Sequence, residues 1–311
     1  MAVAATLVVA ACSSSSGSGG GSKYKVGMFL MVSASVMDQI QTGFQQGFLE
    51  QTGWTKDKVS FETKNAQGDQ SLIQSIAREF GTGNDDMIEV VGTPAVIAQA
   101  KVERKKPVIA VAMGDPVGSG VAKSLDHPGG NVTGSIDYVD PSQILDQILE
   151  VTPTPKTVGT IYNAANENSQ VWVKALKAAL AAKGLPGLKE ATVTSSADVN
   201  AAARSLSGRA DTVLIGPDAD AIAGLPAIAK AAQSAKQELF LVGGDATVPG
   251  VLASIGPNYQ TLGVEAGKVA GKVALGAAPG EVAFARPEKI EWVTNQQTAT
   301  KLGVTLPAGV G

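Results

Sequence analysis

Lys25-Val26-Gly27-Met28-Phe29-Leu30-Met31-Val32 carries a strong fold signal near the start of the chain. Apart from Lys25 and Gly27 it is apolar without alternation, which suits a strand covered on both faces. A short loop follows, and then Met37, Ile40, Phe44 and Phe48 recur at steps of three and four. That spacing puts one apolar stripe on a helix. A doubly buried strand feeding an amphipathic helix is the first half of a βαβ unit, and it predicts a parallel sheet.

The same pairing recurs along the chain. Short apolar runs stand at Val59–Asn65, Met87–Gly92 and Val108–Met113, and a second set at Val158–Asn163, Lys189–Thr194, Thr212–Gly216 and Leu239–Gly243. Helical spacing lies between them, in Leu72-Ile76-Phe80, Ile144-Leu145-Ile148-Leu149, Val171–Lys183 and Ile222–Lys236. The alternation falls into two comparable blocks, Tyr24–Asp137 and Thr157 onward, separated by Thr152-Pro153-Thr154-Pro155 and bridged by a helix over 142–150. The reading is α/β: two doubly wound parallel-sheet lobes facing each other across a cleft. In such sheets ligands bind outside the carboxyl ends of the strands, and closure about a hinge is the natural motion.

Composition narrows the function. The chain has 311 residues, 44% hydrophobic and 17% charged, enough for two cores. Its net charge of -3 is spread without a basic stripe, which argues against nucleic acid. No apolar run approaches the ~20 residues of a spanning helix. One cysteine, Cys12, and one histidine, His127, leave no disulfide, no thiolate metal cluster and no His-based relay. His127 lies in the tight loop His127-Pro128-Gly129-Gly130 and reads as structural. Gly114-Asp115-Pro116-Val117-Gly118-Ser119-Gly120 lacks both the phosphate-loop and the dinucleotide pattern and reads as a turn into a short helix. No nucleophile–base pair or cofactor fingerprint is present, so binding without chemistry, and without cofactor or metal, is expected.

The N-terminus suggests a location. An apolar run, Ala2–Ala11, ends in Val8-Val9-Ala10-Ala11-Cys12, and a Ser/Gly tract follows to Ser22. Small residues before a lone cysteine resemble a bacterial lipobox, which would make Cys12 a lipid anchor and the tract a flexible tether. Residues 1–22 are read as signal, lipobox and tether. The globular part would then work outside the cytoplasm, on the cell membrane. In that setting Asn131-Val132-Thr133 is set aside as a glycosylation sequon.

An ordered set of motifs carries a family resemblance. They are Lys64-Asn65-Ala66-Gln67-Gly68-Asp69, Gly92-Thr93-Pro94-Ala95, Asp115-Pro116-Val117, Asp126-His127-Pro128-Gly129-Gly130-Asn131-Val132-Thr133-Gly134, Gly159-Thr160-Ile161-Tyr162-Asn163, Asn166-Glu167-Asn168-Ser169, Gly244-Asp245-Ala246 and the tail Asn295–Pro307. Together they resemble the substrate-binding proteins of ABC importers, in the family that includes tryptophan- and tyrosine-binding lipoproteins, over Lys23–Pro307. The resemblance implies a type I periplasmic-binding fold with three hinge crossings, near Ile136–Val139, Ile255–Tyr259 and Arg286–Glu291. Lobe I would be 23–137 plus 258–285, with a helix over 260–275 returning to it, and lobe II 138–257 plus 286–311. It implies an extracytoplasmic solute-binding lipoprotein that presents a small amino acid or similar zwitterion, aromatic ones included, to an ABC permease. A receptor signalling through the same clamp is the alternative. A clamp that must open and close argues for a monomer.

Several residues are candidates for the site. Thr93-Pro94 stands where a strand gives way to a helix; Thr93 as cap, with the free N–H groups there, would hold a carboxylate, a plain cap being the alternative. Asp137, Asp218 and Asp245 stand at strand ends, where one could meet a ligand ammonium. Asp245 and Asp137 rank above Asp218, since Gly216-Pro217-Asp218 is also turn chemistry. Asn163 and Ser169 could bond the ligand from the second lobe. Met31, Tyr138 and Tyr162 could wall the pocket, whereas Phe29 reads as core. In aromatic binders of the family the first loop often carries His or Glu before Pro-Ala-Leu-Asp. Here it reads Met31-Val32-Ser33-Ala34-Ser35-Val36-Met37-Asp38, with only Asp38 matching, so the wall is smaller and more neutral.

Overall fold

The computed structural model describes residues 23–287 and 289–306. The anchor at Cys12, its tether and the last five residues lie outside them. In the first lobe β1 (Tyr24–Leu30), α1 (Ser35–Thr52), β2 (Val59–Asn65), α2 (Gln70–Thr82), β3 (Met87–Val91), α3 (Thr93–Val102), β4 (Val108–Val111) and β5 (Val132–Gly134) form a parallel sheet of order β2-β1-β3-β4-β5. Period-2 geometry assigns its two faces. Met28 meets Gln45 of α1, while its neighbour Gly27 lies against the Phe80 ring of α2.

The second lobe repeats the winding. It holds α4 (Pro141–Val151), β6 (Val158–Asn163), α5 (Glu167–Ala182), β7 (Lys189–Val193), α6 (Val199–Leu206), β8 (Thr212–Ile215), α7 (Ala219–Ala223), α8 (Leu225–Ala235), β9 (Glu238–Val242) and β10 (Ala253–Gly256). After α9 (Tyr259–Ala274), the chain adds β11 (Glu291–Thr294) and α10 (Gln296–Leu302). The sheet order is β11-β10-β9-β8-β6-β7. Alternate residues feed separate cores: Val213, Ile215, Leu239 and Leu241 join α6 and α8, whereas Leu214, Phe240 and Val242 join α4 and α5.

The chain passes between the lobes three times. Ile136 packs in the first core and Val139 in the second. β10 belongs to the second sheet, and Tyr259 packs in the first core. Ala285 pairs with Ser135 before β11 joins the second sheet. α9 thus returns to the first lobe, where it meets α1 through glycines on both helices. A Cβ at Gly43, Gly47, Gly263 or Gly267 would fall 2.0–2.3 Å from a backbone oxygen of the partner helix.

The two doubly wound lobes match the sequence reading, with differences in detail. The expected helix Ile222–Lys236 is two helices, α7 and α8, because Gly224-Leu225-Pro226 breaks it and Pro226 can sit only in a first turn. Gly114–Gly120 forms turns rather than a helix; Asp115 accepts from the Gly118 N–H at 2.7 Å and closes them locally. β5, β10 and β11 are too short to announce themselves. β11 runs antiparallel to β10, so the second sheet is not purely parallel. None of the helices among the described residues is long and apolar enough to cross a membrane.

Candidate functional site

In each sheet the winding reverses beside its first strand, between β1 and β3 and between β6 and β8. A crevice opens at the strand carboxyl ends at such a point. The two crevices face each other, and one cavity lies between them. Its first-lobe wall is Met31, Val36, Met37 and Ile40 after β1, Gly92, Thr93 and Pro94 after β3, and Ala112 after β4. The second lobe supplies Asn166 and Asn168 after β6, and Pro217, Ala219 and Ile222 after β8. Asp137 and Tyr259, from two of the crossings, complete it. About 50 Å³ is open to the centre of a water-sized sphere, several times the ~10–15 Å³ that a single water needs.

Two buried polar atoms on this wall lack hydrogen-bond partners among the described residues, Thr93 Oγ1 and Asp137 Oδ1. Buried polar atoms are nearly always paired, and on this wall a polar ligand could pair both. The other Asp137 oxygen accepts from the Tyr259 hydroxyl at 3.2 Å. Burial pushes the Asp137 carboxyl up to about 7, against a smaller downward pull from that bond. Gly92 at φ 100 is the N-cap of α3, and Thr93 is the first helical residue, not the cap. Its hydroxyl is thereby spared from capping. The Thr93 and Ala95 N–H groups begin the helix without intrahelical partners, and Pro94 has none to offer. The lining contains no Lys, Arg or His. Ala112 adopts φ 54, a strained conformation of the kind that gathers at binding sites.

Other candidates go elsewhere. Asp218 is a buried cap: Oδ1 accepts from Ala221 N, and Oδ2 accepts from Asn163 N and Ser169 Oγ at 2.9 and 2.6 Å. Asn163 Nδ2 in turn donates to Asp220 at 2.7 Å. Asp218, Asn163 and Ser169 therefore satisfy one another beneath the second-lobe wall. Asp245 closes a local turn on Thr247, with bonds of 2.8 and 2.5 Å, and does not line the cavity. Asp245 is thus held by its own turn rather than by the cleft. Tyr138 is 37% exposed on the surface, and the Tyr162 hydroxyl donates to Glu190 at 2.8 Å. Phe29 packs on Phe80 in the core. His127 is exposed, with its imidazole 3.4 Å from Glu281.

The sequence reading missed Asn166, Asn168, Tyr259 and Asp220. The asparagines stand in a motif it quoted, but it chose Ser169 from that motif. Asp220 leaves one buried oxygen unpartnered among the described residues, and burial raises its pKa. That oxygen lies 3.3 Å from where a Cβ on Gly68 of the first lobe would sit. Ala219, Ile222 and Ala223 of α7 pack against the first-lobe core. The lobes are therefore in contact across the cleft.

Comparison with known proteins follows this geometry. A family model described as ABC transporter substrate binding protein matches residues 25–310. The tyrosine-binding protein of Clostridioides difficile (strain R20291) is 31% identical over 278 residues, 89% of this chain and 80% of that protein. An ABC domain from Streptococcus pneumonia, solved in complex with L-Trp, is 30% identical and superposes with a TM-score of 0.87 over 93% of this chain and 97% of that one. A ligand-free, open substrate-binding protein with adhesive properties from Clostridium difficile is 29% identical and covers 92% and 97%, yet its TM-score is 0.69. The chain thus superposes more closely on the L-Trp complex than on the ligand-free, open form.

Proposed function

Because the chain belongs to the ABC transporter substrate-binding protein family, we propose that it binds an α-amino acid with an apolar side chain and presents it to an ABC permease for import. One observation carries the ligand class. A single cavity holds a half-paired buried carboxylate, a helix N-terminus with a free hydroxyl, and an apolar wall. Asp137 Oδ1 takes the ammonium, because a cation is what makes a buried carboxylate ionise. Thr93 Oγ1 and the first α3 N–H groups take the carboxylate. Met31, Val36, Met37, Ile40 and Ile222 receive the side chain. Tyrosine and tryptophan, named for the relatives, are the first ligands to try.

The test is thermal unfolding of the purified chain against a panel of amino acids, their amides and their deaminated acids. Free L-amino acids with apolar side chains should raise the midpoint by mass action. The amides should lose the carboxylate contacts and the deaminated acids the Asp137 contact. A shift with the deaminated acids equal to that with the amino acids would overturn the assignment of Asp137.

The location is proposed on the sequence alone. Cys12, after an apolar run and before a Ser/Gly tract, serves as the lipid anchor of an extracytoplasmic protein. Detergent phase partition of the wild type and of Cys12→Ser tests it, the variant leaving the detergent phase.

A further inference from the structure

We propose that Gly114 sets ligand affinity without touching the ligand, because its missing side chain is the seat into which Asn168 of the other lobe closes. The inference rests on the proposed binding by lobe closure. Gly114 follows β4 in the first lobe, and Asn168 stands in the first turn of α5 in the second. A Cβ on Gly114 would lie 2.6 Å from Asn168 Oδ1 and 3.3 Å from its Cγ, and its three nearest neighbours are all atoms of Asn168. A methyl there meets the opposite lobe before it meets its own.

Swinging the amide aside costs a hydrogen bond. Asn168 Nδ2 donates to the Pro217 carbonyl at 2.7 Å, which pins the side chain. Asn168 and Pro217 both line the cavity, so the pinned amide is also the second-lobe wall of the site. The backbone does not require glycine at this place, because Gly114 is absent from the positive-φ glycines. Gly68, another glycine seated against a side chain of the opposite lobe, has φ +79, and its replacement would strain the first lobe by itself. Gly114 therefore isolates closure from folding. With the lobes apart, a methyl at this position no longer meets Asn168.

A ligand that needs the closed state binds with its intrinsic dissociation constant divided by the closed fraction, so fewer closed molecules mean weaker binding. Adding a methyl at Gly114 penalises that state alone. The experiment is a double-mutant cycle of Gly114→Ala and Asn168→Ala, with L-tyrosine and L-tryptophan as probes in titration calorimetry. The cycle removes whatever Asn168 contributes to the ligand directly. Gly114→Ala should weaken binding about tenfold or more in the wild-type background and less than about twofold in the Asn168→Ala background. The unliganded melting temperature should not move. Equal losses in both backgrounds, or no loss in either, would overturn the proposal.

If the wild type binds neither probe, the ligand assignment fails, and the seat is read without ligand. Lys101→Cys and Lys174→Cys, on exposed positions of α3 and α5, carry spin labels in a full chain bearing Cys12→Ser. Gly114→Ala should then deplete the short inter-lobe distances and Asn168→Ala should restore them. Four identical distance distributions would refute the seat independently of any ligand.

Discussion

The Tyr259 hydroxyl donates to Asp137 Oδ2 at 3.2 Å, joining two of the three segments that pass between the lobes. Asp137 lies on the first crossing, and Tyr259 opens α9 just after the second. The Tyr259 ring also rests against Gly243, after β9 of the second lobe, where a Cβ would come within 2.4 Å of it. The hinge and the binding wall are thus one structure.

Ligand binding should release a proton. Burial holds the unliganded Asp137 carboxyl up to about 7, whereas an ammonium partner needs it ionised. Below that pH the ligand must displace the proton, so affinity should fall by about tenfold per pH unit under pH ~6 and be flat above pH ~8. Calorimetry in buffers of different ionisation enthalpy counts the proton directly. Affinity that stays constant from pH 5.5 to 8 (roughly the window of this linkage) would remove Asp137 from the site.

Tyr259→Phe should move that profile rather than abolish it. The hydroxyl favours the ionised carboxylate, so its loss raises the Asp137 pKa further and shifts the affinity curve to higher pH. At neutral pH the ligand should bind several-fold more weakly, with recovery in alkali. A purely structural role for the hydroxyl would lower affinity equally at every pH. Fold stability should fall by about 1 kcal/mol, the ordinary worth of one hydrogen bond.

The elements that the sequence revealed are those whose signal is local. Val59–Asn65 and Val158–Asn163 begin and end as read, because apolar β-rich runs are bounded by turn residues. Met31 and Thr93 were legible as residues after strands where the winding reverses, and Asp137 as a strand-end carboxylate. Whether a strand-end carboxylate points outward or closes on its own backbone depends on what stands two or three residues on. Asp218 has a free N–H at Ala221 to accept, and Asp245 has Thr247. Asn168 and Tyr259 gain meaning only when the lobes meet, a contact between segments far apart in the chain. No periodicity reports it.

Glu89→Gln should stabilise the protein in mild alkali. Glu89 pairs in register with Met28 and so shares the sheet face that α1 covers. It is fully buried, and neither carboxyl oxygen has a partner among the described residues. Burial pushes it from 4.5 up to about 8, so the folded chain keeps a proton that the unfolded chain sheds above 4.5. The stability this contributes is complete below 4.5 and is lost as pH rises through 8. A neutral amide carries no such linkage. The unfolding free energies of variant and wild type should therefore diverge from pH 5 toward 8, with the variant higher, by at most about 1.4 kcal/mol per pH unit. Parallel melting curves across this range would mean that Glu89 is ionised by a partner when folded.

Gly267→Ala should destabilise strongly, against the usual sign for its position. In the middle of a helix the change from Gly to Ala ordinarily gains about 1 kcal/mol through backbone entropy. At Gly267, however, the new Cβ would sit 2.2 Å from the Phe44 carbonyl oxygen and 2.7 Å from the Phe48 nitrogen, both backbone atoms of α1. Neither can rotate away, so α1 and α9 must part, and the packing of Phe44, Phe48 and Ala270 between them loosens. The expected net loss is about 3 kcal/mol, the upper range for overpacking a core. Gly187→Ala, in a loop, is the control for an added methyl that meets nothing, since no atom lies within 4 Å of its Cβ position. Denaturant melts of the two variants decide the matter. If Gly267→Ala unfolds at the midpoint of Gly187→Ala, α1 and α9 are not held by backbone contact, and the seat of Tyr259 has some other support.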